Sequence, residues 1–249
     1  MNCILRRAKL LLLCVSSMAF GQSRSQGDTL ESIGDLPTFS GVWEITTPGF
    51  GTGGESPALT QTYAAHRQAH EQAQWRGDIQ DTPGANCVPP GMPAVMTLPY
   101  PIEFLLTPGK VTILIETYSQ YRQIFTDGRA HPEDPDLTFN GHSIGHWEQD
   151  TLVVDSVGFT TDTRLGNFGV RHSDKMRIVE RMQLTGRDTL RIETTIYDPE
   201  ALTKPWSLTR DYARRADWTI AEYICQQNNR NFTTADGKAG IDLENEIIE

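Results

Sequence analysis

Past residue 20 the chain has no apolar run near the roughly 20 residues that a bilayer-spanning helix needs. Positive charge is also scarce. Twenty-two lysines and arginines face 32 aspartates and glutamates, a formal charge of -10, which argues against a nucleic-acid-binding surface. Cysteine is rare, with four in 249 residues. There is no strand-helix-strand rhythm, so a dinucleotide-binding fold is not expected. Gly51-Thr52-Gly53-Gly54 lacks the preceding strand and the spacing of a phosphate loop. No Gly-x-Ser-x-Gly nucleophile elbow, internal repeat or low-complexity tract is present. What remains is 38% hydrophobic and 22% charged, a globular composition that excludes a disordered chain, a collagen or a coiled-coil rod.

The start of the chain reads as an address. Arg6, Arg7 and Lys9 precede the apolar stretch Leu10 to Phe20, and Ala19 and Gly21 supply small residues for cleavage before Gln22. The apolar core is about half a membrane span, which argues against an uncleaved anchor. Cys14 lacks the small residue before it that a lipid-attachment site wants. Residues 1–21 are thus expected to be a signal peptide, placing the mature chain in a bacterial periplasm or outside the cell. Without their three basic residues, 19 cations face 32 acids, a formal charge of -13. Two cysteines remain, Cys87 and Cys225. In an exported chain they read as one disulfide, with two free buried thiols as the alternative.

Residues 22–38 are polar and read as a flexible lead-in, 39–231 as one β-barrel domain and 232–249 as an acidic tail. Phe39–Thr46 reads as the first strand and Leu59–Gln74 as the one helix, capped by Thr60. From Ile102 onward short runs alternate with a period of two. They fall at 102–107, 110–117, 121–126, 143–148, 151–157, 176–185, 189–197 and 206–214, with a weaker run at 218–223. Short strands joined by tight turns predict an all-β protein, an antiparallel up-and-down barrel of eight to ten strands, with a two-sheet sandwich as the alternative. Gly41-Val42-Trp43 is similar to the opening strand of lipocalin-type (calycin-like) barrels.

Polar residues inside strands carry the chemistry. Met176, Ile178, Glu180, Met182 and Leu184 share one face, so Glu180 interrupts an apolar stripe. A buried carboxylate needs a partner, and Arg122 is the candidate. The other reading is a cavity-facing acid with a raised pKa. His66 and His70, one helical turn apart, sit among polar residues and read as a solvated face. His142 and His146 would lie about 13 Å apart on a strand, too far for one metal unless Gly145 bends the chain, and no metal site is expected. The turn-rich segment Asp127–Asp136 precedes His142, and histidine beside aspartate at a cavity mouth is a kit for proton transfer near neutral pH.

Long motifs add a resemblance. They are Cys87-Val-Pro-Pro-Gly-Met-Pro93, the Pro99–Phe104 segment, DGRAHPEDPD (127–136), GHSIGHWEQDTLVVDSVGF (141–159), Glu180-Arg181, LTKPW (202–206) and EYIC (222–225). Over residues 39–231 the chain resembles a family of exported bacterial proteins that brings no assigned reaction. The resemblance implies export, a single domain and a special role for 127–159. Gln149 stands where the family pattern often has glycine.

The sequence points to an exported, cofactor-independent enzyme, a lyase, isomerase or hydrolase, that performs acid-base chemistry on a small molecule in a barrel cavity. The expected proton-transfer residues are His142 or His172, oriented by Asp127 or Asp155. Arg122, Arg129, His131, His146, Trp147 and Glu180 are the expected substrate contacts. The alternative is a non-catalytic barrel that binds a lipid, sugar or aromatic compound. The partner in either case is a small molecule, with neither nucleic acid nor stable membrane insertion.

Overall fold

A computed structural model describes residues 38–46, 56–76, 87–166, 170–225, 231–233 and 239–241. The expected signal peptide lies outside the described residues, as do nearly all of the lead-in and most of the acidic tail.

Nine strands close into one barrel: β1 (Gly41–Ile45), β2 (Ile102–Thr107), β3 (Lys110–Ile115), β4 (Gln120–Phe125), β5 (His142–Glu148), β6 (Thr151–Val157), β7 (Arg177–Gly186), β8 (Thr189–Tyr197) and β9 (Trp206–Arg214). Chain order is also neighbour order, and β1 pairs with β9 to close the ring. The expected all-β barrel and its strand number are therefore observed. The helix α1 (Gln61–Trp75) contributes no buried residue. Thr60 precedes it but does not cap it, because its hydroxyl donates to Glu200 O at 2.8 Å. Among the described residues between α1 and β2, Ala94–Thr97 forms a 3-10 turn. Residues 218–223 form no strand, and Asn231–Thr233 pairs with Ala239–Ile241 as a separate ribbon (β10, β11) where a tail was expected.

One neighbour pair departs from the antiparallel expectation. β4 and β5 run parallel, and their ladder covers only Ile124↔Ser143 and Phe125↔Ile144. The cause lies in the connection. Residues 126–141 contain Pro132 and Pro135, which lack the amide hydrogen a hairpin ladder needs, so the chain crosses over and re-enters from the same end. The crossover is pinned beside the end of β6, where Thr138 N donates to Gly158 O and Thr160 N donates to Thr138 O.

Alternation fills the interior. Trp43, Phe104, Ile113, Leu152 and Ile178 are buried and point inward from five different strands, so much of the inside is packed core. On β7, Ile178, Glu180 and Met182 are all fully buried, as the period-two stripe predicts. Glu180 finds its partner in Arg122, which is 1% exposed. The same guanidinium donates to Ser156 Oγ at 3.0 Å and more loosely to Ser143 Oγ at 3.4 Å. Those two hydroxyls lie 2.7 Å apart. Arg122 Nη1 and Glu180 Oε1 have no hydrogen-bond partner.

Cys87 and Cys225 form a disulfide with a Cα–Cα distance of 5.6 Å across 138 positions. Just before Cys225 the chain is strapped to the turn ahead of β4. Tyr223 N donates to Ser119 Oγ, whose hydroxyl donates back to Tyr223 O, both at 3.1 Å.

Replacing Glu180 with Gln strands a buried guanidinium without its counter-charge. A loss of about 3 to 5 kcal/mol in urea unfolding is expected, with most of it recovered in the Arg122→Met/Glu180→Leu double variant. A single variant as stable as wild type would show that the pair carries no buried charge. Gln149 adopts φ 57° at the β5–β6 turn, a left-handed conformation that costs a side-chain-bearing residue energy. Gln149→Gly is expected to stabilise by up to about 1 kcal/mol, and a net loss would remove that turn as a source of strain.

Candidate functional site

The parallel seam creates the site. Because the β4–β5 ladder stops at Ile124, residues 120–123 face the crossover segment instead of a strand. Between them lies a cleft of about 570 Å³. One wall carries Tyr121, Gln123 and Phe125, which alternate outward along β4; the other carries Pro132, Pro135, Phe139 and Asn140 of the crossover. His142, the first residue of β5, stands at the junction of the two walls.

The His142 ring stacks on Phe125 with centroids 5.5 Å apart. Its Nδ1 lies 2.8 Å from Nδ1 of His131, a crossover residue. His131 Nε2 in turn lies 3.8 Å from Asp155 Oδ1, close enough for electrostatic contact and too far for a hydrogen bond. Arg177 clamps Asp155 with two hydrogen bonds of 2.8 and 2.6 Å. Only one hydrogen fits between the two Nδ1 atoms. With that hydrogen on His142, the Nε2 of His142 is unprotonated and the Nε2–H of His131 faces Asp155, a tautomer pair assigned here from the geometry.

Burial sets the charge state. It pushes the His142 pKa below the ordinary 6.5, and the neighbouring His131 and Arg129 push the same way. His131 is also lowered, by burial first; Asp155 opposes this and Arg177 reinforces it. Both imidazoles are therefore neutral near pH 7, the state in which one can accept a proton.

The other expected site residues are placed as follows. Asp127 is held by Arg129 at 2.9 and 3.0 Å, and this contact keeps its carboxyl below the usual range. Arg129 also lies 3.9 Å over the Phe125 ring. Arg122 and Glu180 neutralise each other inside the barrel. Trp147 points inward beside Phe39, with ring centroids 5.4 Å apart. His146 is at the far end of β5, exposed, and 3.2 Å from Glu148. Gly145 does not bend β5 to bring His146 towards His142: a Cβ there would meet Ile124 Cγ2 at 2.8 Å, so the glycine makes room for β4.

His172 is away from the cleft lining and 2% exposed. Its Nδ1–H donates to Ser173 O at 2.8 Å, and its Nε2 accepts from the Thr163 hydroxyl at 2.6 Å. It is a latch between two loops. Beside it Asp198, also buried, accepts from Ser173 N and Oγ, both at 2.7 Å, and from Ala201 N at 2.9 Å. His66 is exposed on α1, and among the described residues no group of three or more histidine, cysteine or acidic side chains is placed to hold a metal.

Sequence reasoning did not pick out Phe125, Asn140, Gln120 or Arg177. The alternation of β4 contained the signal for Phe125, since it shares a face with Tyr121 and Gln123. Nothing in the sequence marked Arg177 as the partner of Asp155.

Burial lowers the folded-state pKa of His172 below 6.5. Below that pH the unfolded chain binds a proton that the folded chain refuses. The stabilising contribution is thus complete above the unfolded value and is lost as pH falls through the folded one. In urea unfolding at about pH 7.5 and about pH 5.5, His172→Gln is expected to lose less stability on acidification than wild type. Equal losses would mean that His172 titrates normally.

No protein-family model matches the chain, and no curated protein matches it.

Proposed function

We propose that the chain is an exported enzyme in which His142 transfers protons to and from a small organic molecule held in the cleft between β4 and the crossover segment. The observation that carries this reading is the line from Asp155 through His131 to His142, which ends on the cleft. His142 Nε2 accepts a proton from the substrate. Its Nδ1 proton then passes to Nδ1 of His131, and the resulting imidazolium faces the Asp155 carboxylate. The reverse transfer returns the proton to the leaving atom, so hydrolysis, elimination and isomerisation all fit one base that becomes an acid. His142 is the catalytic residue, and His131 and Asp155 are positioning residues. Export is supported by the basic and apolar start of the sequence and by the Cys87–Cys225 disulfide.

A non-catalytic binding protein is the second reading. It is favoured by the aromatic and proline faces of the cleft, which suit retention as well as turnover.

The two readings part on His142. Wild-type protein is screened by NMR for turnover of small esters, glycosides and β-hydroxy acids, and the screen is repeated with His142→Ala on whatever compound reacts. Turnover is expected to fall by about 10² to 10⁴ with the thermal midpoint retained. His131→Gln is expected to slow turnover and to move the acid limb of the pH profile upward, because His131 depresses the His142 pKa. Full activity in His142→Ala, or no turnover of any compound in the three classes, defeats the enzyme reading.

A further inference from the structure

We infer that the cleft takes a neutral, hydroxyl-rich ligand with one flat apolar face, the chemistry of a saccharide ring. The inference rests on the proposed site and adds the class of molecule that fills it.

The first support is the hydrogen-bond character of the walls. Gln120 Oε1 and Asn140 Oδ1 are both shut from solvent with no donor. The Asn140 amide is not free to turn round, because its Nδ2 donates to Tyr121 O at 3.0 Å. Its oxygen is therefore presented as an acceptor. Buried acceptors without donors are rare in folded proteins, and a ligand hydroxyl satisfies them once the half-buried Gln120 and Asn140 side chains shift enough to open their oxygens to the cleft. Asp136, exposed on the crossover wall, adds two more acceptor oxygens. Hydroxyls can donate to such groups and also to the unprotonated Nε2 of His142.

The second support is charge. Beside His142, which is neutral near pH 7, the described lining has one basic residue, Arg122, and its guanidinium is on Glu180 inside the barrel. Nearby Arg129 is committed to Asp127 and to the Phe125 ring. An anion would thus meet no uncommitted cation and would face the Asp136 carboxylate.

The third support is shape. Tyr121 is 62% exposed on the cleft wall, in the outward row that also holds Phe125. Phe139 and two prolines stand on the opposite wall. Aromatic faces paired with amide and carboxylate acceptors suit a ring that is apolar on its faces and polar at its rim.

The test is saturation-transfer NMR on the full mature chain. The probes are cellobiose, maltose and N,N′-diacetylchitobiose, with 4-hydroxybenzoate as the anionic control and choline as the cationic one. At least one disaccharide is expected to bind, and neither control. Gln120→Leu is expected to weaken that binding at least ten-fold. Tyr121→Ala, a surface change that leaves the fold intact, is expected to weaken it similarly. Binding of a control in preference to every disaccharide, or of none of the probes at millimolar concentration, overturns the inference. So does disaccharide binding that survives both Gln120→Leu and Tyr121→Ala. If wild type binds a disaccharide and turns over no compound of the three classes screened above, the enzyme reading fails while this inference stands.

Discussion

The barrel is weakest where β4 meets β5, and a buried guanidinium holds it there. Backbone pairing supplies two bridges at that seam, against seven between β5 and β6. Arg122 reaches from β4 under β5 and β6 to the Glu180 carboxylate on β7, and it touches a serine on each strand it passes. Side-chain bonds inside the wall thus do part of what a ladder does elsewhere. A hydrophobic residue at this position would give as much burial but no directional tie across three strands. That need explains why a charged pair persists in a core otherwise built from aliphatic and aromatic side chains.

The same seam gives the protein its concavity. The proline-containing segment crosses over instead of closing a hairpin, so β5 starts beside the end of β4 and residues 120–123 of β4 are left facing a loop. The cleft follows from that geometry. So does the meeting of His131 and His142, which come from the loop and from the strand it leads into. Their shared burial keeps both neutral, and the Asp155–Arg177 clamp fixes the far end of the line without adding net charge. Fold and site are therefore one device, and a conventional antiparallel barrel would have neither the cleft nor the pair.

Much of this was legible in the sequence. Period-two alternation placed eight barrel strands after Ile102 with ends correct to within two residues, because one face of every strand is buried. It also set Glu180 in an apolar stripe and named Arg122 as its partner, since a buried carboxylate leaves few alternatives. The cysteine pair followed from there being no other cysteine after residue 21. The parallel step was not legible, because prolines announce that a hairpin is absent without saying where the chain goes instead. For the same reason Asp127 was matched to a histidine although Arg129, two residues on, holds it. His172 was read as a candidate base because polarity in a loop does not distinguish a latch from a catalyst; the Thr163 hydroxyl and Ser173 carbonyl that bind it are revealed only by folding. Asp155 was singled out, but its link to His142 passes through a third residue that strand periodicity cannot place.

The disulfide has a topological consequence. Cys87 precedes β2 and Cys225 follows β9, so eight of the nine barrel strands lie on a single covalent ring of polypeptide. A protease that cuts any one exposed turn between those cysteines opens the ring into two arms that stay joined at the sulfur bridge. The pieces cannot diffuse apart, and a nicked molecule keeps every strand on hand to re-form the barrel. For a chain expected to work outside the cell, a single cut is damage that can be survived.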